Sequence, residues 1–504
     1  MKRIGSVNHS QPITPTALII LDGFGYRQHK ESNAIACADT PFFDYVFKNY
    51  PHCLLKASGT FVGLPQGFIG NSEVGHMTIG TGQIIEQPLT RIHQAIDDNS
   101  FFTYPILKEQ LSSLAKSGKT LHIAGILSDA GAHGHIKHIL AYIKAGLLYG
   151  VKHIVIHAFL DGRDVGPQTA RTYLEQLQIL LDQHPNVILG TIQGRFYAMD
   201  RDHNWQRTQK SYDVMTSVQQ LHFIRWQDAL DYYYQHKTFD EFIPPTQLYH
   251  QAVIKSGDGL IFSDTRPDRD RQLAQAFTDS QFSHFPTDHL QLSFVITPVM
   301  YSADIATMPL LEPQLLRPTL KQELTKQGRT IFTIAETEKY AHVTYFFDGG
   351  NESVYPQETR VLIPSLKVPH YDIAPSLSAD QITQRVIQSL TTNPCDFYLI
   401  NYANADMVGH TGNFTATVKA IECLDKELQQ LYNQIVIKQN GTMYITADHG
   451  KAEDMYDSTL QQPRTAHTTN PVPFIVINKK VAHSQTPLPL NQLADIASYV
   501  IKHL

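Results

Sequence analysis

The chain is built from short apolar runs, each stopping at a polar or glycine-containing turn and separated from the next by a stretch with helical periodicity. Residues 17–21 are continuously apolar and end at Asp22-Gly23-Phe24-Gly25. Such a run suits a strand buried on both faces of a parallel sheet, with Asp22 at its carboxyl end, where open α/β sheets gather ligands. Asp-Gly is also a strong turn signal, so Asp22 as a simple turn residue is the competing reading. An aromatic-rich helix is predicted over 41–50, and another from about Val74.

The apolar runs recur at 120–127, 153–160, 187–192, 260–263 and 292–296, with helical patterns over 136–149 and 169–183. A third block begins near residue 310 and supplies runs at 329–335, 397–401, 442–446 and 472–477. Strand alternating with helix predicts parallel sheets joined by crossover connections. Proline-rich spots near 308–318 and 364–375 read as loops or hinges. No internal repeat or heptad run is present. Residues 1–16 are polar, contain Pro12 and Pro15, and are expected to form a loose extension.

The length of 504 residues allows two or more domains, and 42% hydrophobic with 17% charged residues is ordinary globular composition. A net charge of −6 gives no global basic field for nucleic acid. No stretch approaches a membrane span, and the N-terminus lacks the apolar core of a signal peptide. Cys37, Cys53, Cys395 and Cys423 form no C-x-x-C pair and read as reduced, mostly buried thiols of a cytoplasmic protein.

The candidate chemistry sits at the ends of the runs. In Gly70-Asn71-Ser72-Glu73-Val74-Gly75-His76 a serine stands on a turn at a helix start, where backbone N–H groups and the helix dipole meet an anion. Asn71 and Ser72 are also favoured caps, so capping alone is the competing reading. Asp406 and His410 follow a strand at i, i+4 spacing, which puts both on one face of a helical turn, as a metal needs; a plain surface pair shares that spacing. Asp448-His449-Gly450 ends the run at 442–446, and His467 precedes the run at 472–477. With Asp22, these make six oxygen or nitrogen ligands, enough for two divalent ions of three ligands each. The middle block carries arginine motifs instead: Asp161-Gly162-Arg163-Asp164, Gly194-Arg195, Arg201, and Arg266-Pro267-Asp268-Arg269-Asp270-Arg271. Converging arginines suit a doubly anionic small acid. An internal Arg–Asp salt-bridge network competes, and is expected to hold for Arg271 and Asp268.

Asn71-Ser72-Glu73-Val74-Gly75-His76, Asp448-His449-Gly450 and Thr465-Ala466-His467-Thr468-Thr469-Asn470-Pro471-Val472-Pro473 resemble the cofactor-independent phosphoglycerate mutase family of the alkaline phosphatase superfamily, from about residue 17 onward. The resemblance implies a two-domain α/β fold: a discontinuous alkaline-phosphatase-like domain over 17–86 and 309–504, with a second α/β domain inserted over 87–308. It implies that Asp406, His410 and His467 hold one Mn²⁺ or Mg²⁺, with Mn²⁺ expected. Asp22, Asp448, His449 and the Ser72 oxygen would hold the second, making Ser72 a nucleophile. His133, Arg163, Asp164, Arg195, Arg201, Arg266 and Arg269 would contact substrate, Asp164 would act as general base, and Lys339, in Glu336-Thr337-Glu338-Lys339-Tyr340-Ala341-His342, would lie near the transferred phosphate. A surface pair of Lys339 with Glu336 is the competing reading. The sequence departs from the family pattern at Ala132 and Gly134 around His133, at Val165-Gly166-Pro167, and at Lys451.

The implied activity is the interconversion of 3- and 2-phosphoglycerate by a cytoplasmic monomer, through phosphoserine and without 2,3-bisphosphoglycerate, nucleic acid or membrane. A phosphatase or sulfatase needs only the metal–serine centre, and a binding module would tolerate loss of Ser72. The three histidines must be neutral to bind metal, so activity is expected to fall in mild acid.

Overall fold

A computed structural model describes residues 13–504 apart from 313, 315, 459, 460 and 485. Most of the extension expected over 1–16 lies outside the described residues. Its end does not behave as one: the Pro15 carbonyl accepts from Thr442 N at 3.0 Å, and Thr16 opens the first strand. The chain divides into two compact units, Met1–Glu86 with Gln314–Leu504, and Gln87–Pro313.

The first unit is organised on a seven-stranded sheet in the order Glu358–Ile363, Ile331–Glu336, Phe397–Tyr402, Thr16–Leu21, Thr442–Thr446, Val472–Ile477, His52–Leu55. The first five run parallel, and the last two pairings are antiparallel. Thr16–Leu21 lies near the middle with Ala17 through Leu21 wholly buried, as a continuous apolar run in a two-faced sheet requires. Residues following the parallel strands, and those preceding the antiparallel Val472–Ile477, therefore share one edge. Asp22, Lys339, Asp406, Asp448 and His467 all fall there.

The second unit has its own seven-stranded sheet: Thr246–Gln247, Val187–Gly194, Ile154–Leu160, Leu121–Leu127, Gly259–Phe262, Phe294–Thr297, Met308–Pro309. All pairs are parallel except that of Thr246–Gln247. His133, Asp164, Arg195, Arg266 and Arg269 follow the carboxyl ends of four central strands. The boundary expected at 309 moves to 313/314 because the Met308–Pro309 strand pairs with Ile296 and Thr297. Leu310 and Leu311 then bury their side chains in this unit's core.

Besides two-residue strands such as Thr246–Gln247, two longer strands escape the hydrophobic pattern, His52–Leu55 and Glu358–Ile363, each at a sheet edge with half-exposed residues that blunt the apolar signal. The four thiols are unpaired, and only Cys395 is buried; Cys37 is exposed, against the expectation of mostly buried thiols.

Candidate active site

The serine turn resolves the question of capping. The helix Ser72–Thr81 is capped by Asn71, whose Oδ1 accepts from Val74 N at 3.1 Å, so the Ser72 side chain is left for other work. Gly75 lets this helix lie directly on the Asp448 strand end: a Cβ there would sit 2.5 Å from the Asp448 carbonyl oxygen. Ser72 Oγ donates to Asp22 Oδ1 at 3.1 Å and lies 3.0 Å from His449 Nε2.

Lys339 Nζ donates to Asp22 Oδ1 and Asp406 Oδ2, both at 2.6 Å, and to Ser72 Oγ at 2.8 Å. All three ammonium protons are thereby used. The lysine is buried and makes no surface pair with Glu336, which instead accepts from Ser365 Oγ at 2.8 Å. Burial disfavours the ammonium, but Asp22 and Asp406 override it and hold its pKa above the ordinary lysine value. Burial likewise pushes both carboxyls up, and Lys339 reverses the sign, leaving Asp22 and Asp406 well below the carboxylate range.

Beside this serine centre, three lone pairs face one another. His410 Nδ1 lies 2.8 Å from Thr465 O and His467 Nδ1 2.8 Å from Gly70 O, which fixes the proton of each imidazole on Nδ1. Their Nε2 atoms are 3.0 Å apart and lie 3.0 and 3.2 Å from Asp406 Oδ1, an oxygen with no hydrogen-bond donor. Three acceptors converging without a donor are the arrangement a cation satisfies. His449 Nε2 lies 3.5 Å from Asp22 Oδ1 and 3.4 Å from Asp448 Oδ2, the latter also without a donor. Burial opposes a charge on His449, but Asp448 and Asp22 raise its pKa to about 9. Asp22, Asp406 and Asp448 are three buried carboxylates around one buried ammonium, and buried charge is stable only when paired or metal-bound. The residues present thus fit divalent ions at Asp406–His410–His467 and around Asp22.

Sequence reasoning left out the residues that brace this centre. His76 Nδ1 lies 2.9 Å from Ser72 O and 3.2 Å from Asp448 Oδ2, and its Nε2 is 3.0 Å from Asn401 Nδ2, which also donates to Asp22 Oδ2 at 2.9 Å. With both ring nitrogens in protein contacts, His76 braces Ser72, Asp448 and Asn401. Its i+4 spacing from Ser72 on one helix face was a usable signal. Glu453 accepts from Gly25 N at 3.1 Å, Lys451 N at 2.8 Å and Asn470 Nδ2 at 2.9 Å, joining three loops. No pattern announced it.

In the second unit, Arg163, Arg195, Arg201, Arg207 and Arg269 line a cavity of about 320 Å³. Arg195 is buried, donating from Nη1 to Asp161 Oδ1 at 2.6 Å and to Asp164 Oδ2. Asp161 Oδ1 also accepts from Asp164 N at 3.0 Å, which sets the turn. Arg201 pairs with Asp268 at 2.7 Å, Arg266 with Asp268 at 3.1 Å, and Arg163 with Glu241 at 3.1 Å. Arg269 Nη1 donates to Met199 O at 3.2 Å. Burial, then Arg195, lowers the His133 pKa to about 4, so its imidazole is neutral, 4.0 Å from Asp164 and 3.7 Å from Asp268. Arg271 faces elsewhere and donates to Tyr301 O at 2.6 Å, a backbone partner in place of the expected aspartate. Arg207 and Glu241 are the cavity groups that the motifs did not single out.

Residues 14–504 match the Metalloenzyme superfamily. Over 500 residues the chain is 43% identical to the 2,3-bisphosphoglycerate-independent phosphoglycerate mutase of Acaryochloris marina, spanning 98% of this chain and 93% of that one. The mutase of the same description from Legionella pneumophila strain Lens is 43% identical over 465 residues, 92% and 90% of the two chains. A solved structure of Leishmania mexicana phosphoglycerate mutase at low cobalt concentration superposes with a TM-score of 0.76 at 29% identity, covering 98% of this chain and 95% of that one.

Proposed function

This chain belongs to the 2,3-bisphosphoglycerate-independent phosphoglycerate mutases, and we propose that it interconverts 3- and 2-phosphoglycerate through a phosphoserine at Ser72. The observation that carries this reading is Ser72 Oγ itself, held at once by Asp22, His449 and Lys339. Two divalent ions, Mn²⁺ in preference to Mg²⁺, held by Asp406, His410 and His467 and by Asp22, Asp448, His449 and Ser72, supply Lewis-acid stabilisation and a lowered hydroxyl pKa.

The chain's own groups do the rest. Lys339 keeps its charge beside Ser72 and stabilises negative charge as it develops on Oγ and the phosphoryl oxygens. Ser72 Oγ forms the new bond to phosphorus while the bond to the C3 oxygen of the substrate breaks; the serine hydroxyl releases one proton and the leaving oxygen takes one up, so no proton is gained or lost overall. The arginine cavity holds the glycerate carboxylate bidentately. Asp164, fixed by Arg195 and 29% exposed at its side chain, takes the proton of the C2 hydroxyl as that oxygen attacks phosphoserine and frees Ser72. No bisphosphoglycerate is consumed, because the serine is the phosphate carrier. A substrate of central carbon metabolism belongs in the cytoplasm, and among the described residues no helix is long and apolar enough to cross a membrane.

Incubation of the enzyme with 3-phosphoglycerate and Mn²⁺ tests this. The expected product is 2-phosphoglycerate with no inorganic phosphate. Phosphate release without 2-phosphoglycerate would make the protein a phosphatase, and no turnover would remove the catalytic reading.

A further inference from the structure

One buried charge near the serine centre has no part in the phosphoryl transfer. Lys451, directly after the Asp448-His449-Gly450 turn, is fully buried. Buried lysines are normally ion-paired. Among the described residues Lys451 has no such partner: its Nζ donates to the Arg464 carbonyl at 3.0 Å and lies 3.7 Å from Met455 Sδ. Its stem crosses Gly409, where an added Cβ would lie 3.1 Å from Lys451 Cγ and 3.5 Å from Nζ. Gly409 belongs to the turn that carries Asp406 and His410, so the absence of a side chain there is what admits the lysine. Burial is the largest influence on its ammonium and lowers its pKa to about 8; against burial, Asp406 attracts Lys451 most strongly, ahead of Glu453 and Asp454, while Arg464 repels it, so at neutral pH the group is mainly charged.

A group with no exposed surface reaches neither solvent nor substrate, and beyond its hydrogen bond to Arg464 and its packing on Gly409 it acts through its field. In a low-dielectric interior that field is strong and little screened by salt. We propose that Lys451 is a positioning residue that weakens divalent-cation binding at the Asp406–His410–His467 cluster by placing a positive charge against the turn that carries Asp406 and His410. The inference rests on reading that cluster as a metal site. It makes the two ions unequal: the one on Asp406 is held less tightly than its three ligands alone would hold it, and exchanges more readily.

Mn²⁺ titration near neutral pH, read by electron paramagnetic resonance of the free ion, tests this on the full-length protein. The Lys451→Met variant is expected to bind one of the two ions roughly tenfold tighter than wild type, and Lys451→Arg to match wild type. Structural damage would loosen binding, so tightening separates the field effect from a packing defect. Should Lys451→Met not fold, Lys451→Gln carries the same expectation. Asp406→Asn is expected to lose one ion altogether. Unchanged or weaker binding in Lys451→Met and Lys451→Gln, with Asp406→Asn still losing an ion, overturns the lysine inference alone. Retention of both ions by Asp406→Asn overturns the metal-site reading and this inference with it.

Discussion

The two units carry opposite charges for opposite ends. In the first, Asp22, Asp406 and Asp448 are buried around one lysine, and Oδ1 of Asp406 and Oδ2 of Asp448 lack donors. In the second, arginines surround a cavity, and Arg163 and Arg201 keep 57% and 46% of their side-chain surface exposed. The difference is physical. Cations bound by carboxylate and imidazole need a rigid cage, and here its carboxylates are buried although His410 keeps 41% of its side-chain surface exposed. A small anion that must enter and leave is better met by flexible guanidinium groups at a wet surface, kept by an aspartate or glutamate (for Arg269, by the Met199 carbonyl) until substrate arrives. Arg195 is the exception, and it shows that the second unit also has a rigid floor.

Substitutions that cross this divide should separate its halves. Ser72→Ala is expected to abolish mutase activity, by roughly four orders of magnitude or more, while leaving the thermal midpoint within a few degrees; a coupled assay with calorimetry checks both. Asp406→Asn should lower activity more than roughly 100-fold, the upper range for residues that merely support a ligand. Excess Mn²⁺ should not restore it, because one ion has lost its site.

Arg195→Leu should destabilise the second unit by about 3–5 kcal/mol, because Asp161 is left buried and unpaired. Urea unfolding reads this directly. Arg201→Ala, at a half-exposed pair, should cost at most about 1 kcal/mol of stability and appear as a raised KM that grows with ionic strength. Equal effects of the two arginines on stability would erase the distinction between floor and rim.

A smaller, graded effect concerns pH. With no cation bound, His449 is held protonated up to about pH 9 by Asp448 and Asp22 against the pull of burial. A pKa raised from 6.5 in the unfolded chain contributes stability that is complete below pH 6.5 and disappears as pH climbs through about 9. Metal-depleted protein should therefore melt lower above pH 9 than at pH 6.5. Mn²⁺, which displaces that proton, should bind more tightly as pH rises across the same interval. The expectation from sequence placed the metal's pH sensitivity in mild acid. Burial pulls the other way, but Asp448 and Asp22 outweigh it and move the His449 share of it to the alkaline side; a flat affinity between pH 6.5 and 9 would contradict this.

The sequence made the ends of the strands readable and the braces between them unreadable. Asp22, Asp406 and Asp448 each follow a continuous apolar run, so periodicity alone puts them at the sheet edge. Lys339 was ambiguous, because its distance from Glu336 fits a surface pair, and only tertiary packing aims it at Asp22 and Ser72. Asn401 sits inside an apolar strand pattern, where an amide looks like an irregularity until its partners Asp22 and His76 arrive from elsewhere. Glu241 was missed because its loop, shared with Asp240, gains meaning only against two distant glycines. A Cβ added at Gly162 would lie 2.8 Å from Asp240 Cβ, and one added at Gly194 would lie 2.2 Å from the Glu241 carbonyl oxygen. Local pattern reports what each segment does for itself, and long-range pairing of polar groups leaves no local trace.

The role of Ser72 is tested most directly by acid-quenching the Mn²⁺-loaded enzyme during turnover of 3-phosphoglycerate and mapping phosphate by peptide mass spectrometry. Phosphate on the peptide containing Ser72, present in wild type and absent in Ser72→Ala, is the predicted result. Full turnover with no phosphorylated Ser72 at any quench time, or mutase activity surviving in Ser72→Ala, would contradict it.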